Sequence, residues 1–184
     1  MVGSPRSRIK RLLLGIALTA VGVAAASTAS GAAHDPSSLE RKVQTVGTNG
    51  IGPLHLGATV QSLHRRRLIR GLRPGCELDP GQRVARLRPP LAGFAIFSHP
   101  NTRLSSLAIL GGAETARHIG IGSTPREARQ AYPRARYEPP GTAEPFAEGF
   151  FLVNDIAHAK LTFTVDPASN LISAINVPVP AFCE

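Results

Sequence analysis

A short pattern occurs twice in the chain and constrains its fold more than any other feature. Both copies read as apolar, any residue, apolar, glycine, any residue, threonine, followed by a helical segment. They occupy residues 54–63 and 119–128, and a second correspondence joins residues 100–109 to residues 167–176, so the offsets are 65 and 67 residues. Two correspondences at nearly the same offset indicate a tandem duplication.

The second copy shows the local chemistry of the repeat most clearly. Thr124 and Glu127 form a capping box with Pro125 at the first helical position, so a helix begins there, and Pro133 ends it after about two turns. Strict alternation predicts a strand over 160–165, with Leu161, Phe163 and Val165 facing a core and the residues between them facing water. We also predict an earlier strand over 146–153, a turn over 166–170 and a return strand over 171–177.

The first copy repeats this plan less regularly. Thr59 caps a predicted helix, 83–88 is a weak strand, and 93–98 pairs with 104–110 through a turn. The sequence therefore predicts an α+β fold of two tandem units, each a short helix packed on an antiparallel meander. We place a flexible tether at 34–46, the first unit at 47–116 and the second at 117–184.

The Gly-x-Thr-helix opening at Gly57–Thr59 and Gly122–Thr124, followed by a proline-containing loop and a meander, resembles the tandem-repeat β-lactamase inhibitory protein family. It is similar also to the single-repeat small lipoproteins of the bacterial outer-membrane assembly machinery. The resemblance covers roughly residues 50–178 and implies a binding or scaffolding protein rather than an enzyme. It implies no contact residues, because the chain has no Trp and only Tyr132 and Tyr137.

Residues 1–33 have the layout of a secretory signal peptide. Four basic residues, Arg6, Arg8, Lys10 and Arg11, precede the apolar run 12–26, and small residues follow it. We expect cleavage near Ala33 and a secreted or periplasmic protein. The alternative is an uncleaved membrane anchor, since residues 12–33 carry no charge. Removing the segment lowers the formal net charge from +9 to +5.

The chain has two cysteines, Cys76 and Cys183. In an exported protein an even pair predicts one disulfide. The bond would close a loop of about 107 residues, which chain-entropy arguments value at about 4 to 5 kcal/mol. Neither cysteine has a second ligand at zinc-binding spacing, so the sequence predicts no metal site and no cofactor.

No catalytic motif is complete. The fragments at Gly50–Gly52 and Gly120–Gly122 lack the third glycine of a nucleotide-binding loop and predict tight turns. The six histidines are dispersed, and Ser98 and His99 are adjacent on a predicted strand edge, which points them to opposite faces. A hydrolase site would therefore have to be assembled from His, Ser and acidic residues that are far apart in the sequence and come together only in the folded chain.

The one concentration of charge in the chain is formed by Arg65, Arg66, Arg67, Arg70 and Arg73. On the predicted helix that begins at Thr59, Arg66, Arg70 and Arg73 fall at i, i+4 and i+7 and form a stripe of guanidinium groups suited to phosphate. The simpler alternative is a solvated helix face. Export and sparse aromatic residues disfavour nucleic acid as the partner.

From these features we expect an exported bacterial envelope protein that acts as a non-catalytic binding module. Its partner would be another protein or an anionic envelope component. The alternatives are a secreted hydrolase with a spatially assembled site and an inhibitor of an extracellular enzyme. The oligomeric state is left open by the sequence.

Overall fold

The structure, a computed structural model, describes residues 43–76, 79–100, 102–141, 148–153 and 160–180. The predicted signal segment, the predicted cleavage site near Ala33 and Cys183 lie outside the described residues, as does the side chain of Cys76. Within the described residues no helix has the length and apolar character needed to span a membrane. The elements in chain order are β1 Gln44–Val46, β2 Gly50–Ile51, β3 Leu54–His55, α1 Val60–Arg65, β4 Ile69–Cys76, β5 Asp79–Leu87, β6 Ala92–Ser98, β7 Arg103–Gly111, β8 Ala113–Thr115, α2 Pro125–Ala131, β9 Arg136–Glu138, β10 Gly149–Val153, β11 Leu161–Asp166 and β12 Leu171–Val177.

One antiparallel sheet of eight strands dominates the fold, in the order β4-β5-β6-β7-β12-β11-β10-β9. Strands make up 54% of the described residues and helices 11%. The prediction of an α+β fold with two tandem helix-on-meander units is therefore wrong. The physical reason is the pairing of β7 with β12, where Leu107 lies opposite Val177 and Ile109 opposite Ile175, because this seam joins strands of both predicted units into one eight-stranded sheet.

The local predictions of the second copy largely hold. Thr124 N–H donates to Glu127 Oε2 over 2.7 Å, and Glu127 N–H donates to Thr124 Oγ1 over 3.2 Å, which confirms the capping box. The return strand has its predicted bounds, Leu171–Val177. Short helices of this kind owe their position to such caps and to packing, because six or seven residues are too few to be stable alone.

One face of the sheet, which we call the core face, packs against both helices. Leu63 of α1 and Ala128 of α2 are buried in the same cluster as the strand residues. Phe163 is fully buried there and its ring lies 5.4 Å from that of Tyr132. The described buried members of this cluster lie between Val46 and Val177.

The opposite face, which we call the outer face, is only partly exposed to solvent. Thr162, predicted to face water, is fully buried, and its hydroxyl donates to the Pro178 carbonyl over 3.0 Å. On the same face Val84, Ile96 and Ala108 form a second small cluster with Phe94 packed against it. The outer face thus combines buried residues with the exposed ones described next.

Candidate anion-binding surface

The arginines singled out in the sequence do not share a helix. Helix α1 ends at Arg65, Arg66 is its C-cap, and Arg70 and Arg73 belong to strand β4. The predicted helical stripe is therefore wrong. Gly71, with φ +64°, and Pro74 are both unfavourable inside a helix, whereas Ile69 buries its side chain in the sheet core.

The sheet nevertheless brings two of these arginines to one face. Arg70 lies opposite Arg86 of β5, and Arg73 lies opposite Val84. Residues three apart normally point to opposite sides of a strand, but the register shifts between Arg70 and Arg73. This bulge places Arg73 on the same face as Arg70 and Arg86.

Arg88 extends the group at the end of β5. Its N–H donates to the Leu68 carbonyl over 3.0 Å, and it follows Arg86 by two residues, so it continues the same face. Arg70, Arg73, Arg86 and Arg88 are all exposed, and we call these four residues the arginine surface. Arg66 lies beside it in the turn that precedes Leu68.

The arginine surface has no acidic counterpart in the described part of the chain. Asp79 is the acidic residue described in β4, β5 and their flanking turns, and it pairs with Cys76 at the far end of the hairpin. The ion pairs among the described residues are His118 with Glu114 and Arg136 with Glu138. Like charges directly opposite one another destabilise a sheet, so stability does not account for Arg70 facing Arg86.

The distribution of charge along the sequence supports this asymmetry. Residues 47–116 hold nine arginines and three acidic residues, whereas residues 117–184 hold six basic and seven acidic residues. The excess positive charge that follows residue 33 therefore belongs to the half of the chain that contains the arginine surface.

The histidines do not converge in the described part. His55, His64, His99 and His118 are exposed, while His34 and His158 lie outside the described residues. Among described residues no group of three His, Cys, Asp or Glu is placed to hold a metal. His99 packs against Gly81, where an added Cβ would come within 2.3 Å of it, so its position has a packing explanation.

Three cavities in the described part lack the groups of a hydrolase. One of about 280 Å³ lies beside Tyr132 and Arg134, one of about 440 Å³ beside Arg126, and one of about 530 Å³ beside Val43 and Pro90. None of the three is lined by a described His, Cys, Asp or Glu. In the first, Arg117 already donates to the Ala131 carbonyl at the end of α2 and stacks over Tyr132.

The chain matches no family model, and no match was found among curated proteins or solved structures. The resemblance to the β-lactamase inhibitory proteins therefore stays a prediction.

Proposed function

We propose that the protein is a non-catalytic binding module of the bacterial envelope and that the arginine surface holds an anionic component of that envelope. The observation that carries the proposal is the pair Arg70 and Arg86. These two cations face each other across neighbouring strands without an acidic partner among the described residues.

The chemistry of guanidinium groups favours phosphate as the anion. Each guanidinium presents a planar fork of donors that matches two phosphate oxygens, and charge-assisted bonds of this kind are about twice as strong as neutral ones. Neighbouring strands lie about 4.8 Å apart, so Arg70 and Arg86 can contact one phosphate or two successive ones. A bound anion also relieves their mutual repulsion, which adds to the binding free energy.

Export is part of the same proposal. Residues 1–33 begin with basic residues, continue with an apolar run and end in small residues, and in this proposal they direct the chain to the envelope. There Cys76 and Cys183 would form a disulfide. Intact mass of the exported protein tests this. We expect a mass that lacks about 33 residues and the two hydrogens lost on disulfide formation, and a mass that includes residues 1–33 would contradict cleavage.

The binding claim is tested with long-chain inorganic polyphosphate as the probe. Arg70→Gln combined with Arg86→Gln should lower the affinity by at least about tenfold in titration calorimetry at about 0.1 M salt, where the Debye length is about 10 Å, because two charge-assisted contacts are lost. The control combines Arg126→Gln with Arg134→Gln, which removes the same charge from exposed positions elsewhere. We expect the control to change affinity by less than about threefold, since charges on separate surfaces are screened. Equal losses in the two variants would show that net charge alone is sensed.

A further inference from the structure

We infer that the cavity at the end of helix α2, which we call the Tyr132 cavity, binds a small organic carboxylate. The described residues that line it are Arg117, Tyr132, Pro133, Arg134, Ala135 and Val153. It shares none of them with the arginine surface, and the inference does not rest on the proposed function. Its volume of about 280 Å³ lies just below the range of about 300–1,000 Å³ that is usual for ligand sites, so it suits a small molecule.

The guanidinium of Arg117 is held in place by the protein itself. It donates to the Ala131 carbonyl at the end of α2, and its carbon atom lies 5.1 Å from the centre of the Tyr132 ring. The backbone is fixed as well, because the hydroxyl of buried Thr115 accepts from the Arg117 N–H over 3.3 Å and from the Ile119 N–H over 3.2 Å. A cation fixed in this way loses little conformational freedom when it binds an anion, which favours affinity.

The charged groups of the Tyr132 cavity suit a carboxylate. The bond from Arg117 to Ala131 uses one of the five N–H donors that an arginine carries. Neither ion pair among the described residues involves Arg117 or Arg134. A carboxylate has two oxygens that can accept parallel N–H bonds from one guanidinium. Arg134 is exposed and lines the same cavity, so it adds a second positive charge near the bound group.

The other lining residues give the ligand an apolar body to match. Tyr132, Ala135 and Val153 are partly buried and pack against the main core cluster. The Tyr132 ring lies 5.4 Å from that of Phe163, and the Ala135 N–H donates to the Tyr132 carbonyl over 2.9 Å, so the turn after α2 is fixed. An inorganic anion gains nothing from these side chains, whereas an apolar group is removed from water against them. The cavity therefore favours a ligand with a carboxylate and an apolar group.

The alternative is that Arg117 serves only the end of the helix. The C-terminus of a helix carries partial negative charge, which a nearby cation stabilises. That role accounts for the bond to Ala131 but needs neither the cavity nor Arg134. It also predicts no preference between a charged ligand and a neutral ligand of the same shape, so ligand binding distinguishes the two roles.

Amide NMR titration of the processed protein, residue 34 onward, tests the inference with phenylacetate as the probe; this chain contains the described core. Phenylacetate should shift the signals of Arg117, Tyr132 and Ala135 with a dissociation constant of about 1 mM or below, as expected for so small a ligand. Phenylacetamide keeps the shape without the charge, and acetate keeps the charge without the ring. Each should bind at least about tenfold more weakly. Equal affinity for phenylacetate and phenylacetamide, or no saturable shift at these residues, would overturn the inference.

Two variants test the cavity itself. Arg117→Lys keeps the charge but loses the planar fork of donors, so it should lower phenylacetate affinity at least about fivefold. Ala135→Leu fills part of the cavity and should lower the affinity at least about tenfold. The matched control, Arg126→Lys, changes an exposed arginine of α2 that does not line this cavity, and it should bind as the wild type does. Well-dispersed spectra show which variants are folded, and equal affinity of Arg117→Lys and Arg126→Lys would overturn the assignment.

Polyphosphate titration separates the inference from the proposed function. Arg117→Lys should keep wild-type polyphosphate affinity, and Arg70→Gln with Arg86→Gln should keep wild-type phenylacetate affinity. Polyphosphate binding that depends on Arg70 and Arg86, together with no phenylacetate binding, would overturn the carboxylate site alone. Phenylacetate binding that depends on Arg117, together with polyphosphate binding that is independent of Arg70 and Arg86, would overturn the proposed function alone.

Discussion

Arg86→Glu should make the protein more stable, which is an unusual expectation for a charge reversal. Arg70 lies directly opposite Arg86, and the described residues offer neither of them an acidic partner. Two like charges about 8 Å apart in water repel by about 0.5 kcal/mol, and reversing one turns this into an attraction of the same size. We therefore expect a gain of about 1 kcal/mol in the free energy of unfolding at low ionic strength.

Thermal and urea unfolding at low and high salt measure this effect. A gain of about 1 kcal/mol raises the melting temperature of a domain of this size by about 3 °C. Arg86→Gln removes the repulsion without adding an attraction, so it should show about half the gain. At physiological salt the Debye length is about 8 Å, so both gains should shrink markedly. A destabilised Arg86→Glu variant, or a gain that does not change with salt, would refute the argument that Arg70 and Arg86 repel each other.

Two further predictions concern the fold. Phe163→Ala should lower the free energy of unfolding by about 3 to 5 kcal/mol in urea titrations, because the ring is fully buried in the core; a loss below about 1 kcal/mol would contradict its place there. The pKa of Glu127 is lowered by the hydrogen bond from the Thr124 backbone N–H and then by that from its hydroxyl. Its contribution to stability is therefore present above the ordinary pKa of 4.5 and is lost as the pH falls through the lowered value. Glu127→Gln should thus be less stable than the wild type at neutral pH and should approach it in acid, whereas a difference that is constant with pH would count against the capping box.

Features with local chemical causes could be predicted from the sequence. The capping box needs Thr124 and Glu127, which are three residues apart, and the return strand follows a turn rich in Asp, Pro, Ser and Asn. The joining of strands from both predicted units into one eight-stranded sheet could not be predicted. It depends on contacts such as Ile109 with Ile175, which are far apart in the sequence and are set by how the core closes.

The arginine surface could be predicted only in part, because it too depends on the pairing of strands. Helical spacing is a weak signal by itself, and Gly71 and Pro74 argue against a helix that continues through this segment. Arg86 could not be singled out, because its significance comes from the register that places it opposite Arg70. The prediction of a weak strand over 83–88 identified the strand but not its pairing with β4.

The most direct test of the anion-binding surface is to locate the bound anion on the folded protein. Polyphosphate added to the isotope-labelled processed protein should shift the amide NMR signals of residues 66–73 and 83–88 and leave those of helix α2, Pro125–Ala131, unchanged. Shifts that centre on α2, or that scatter over both halves of the sheet, would contradict the assignment of anion binding to Arg70, Arg73, Arg86 and Arg88.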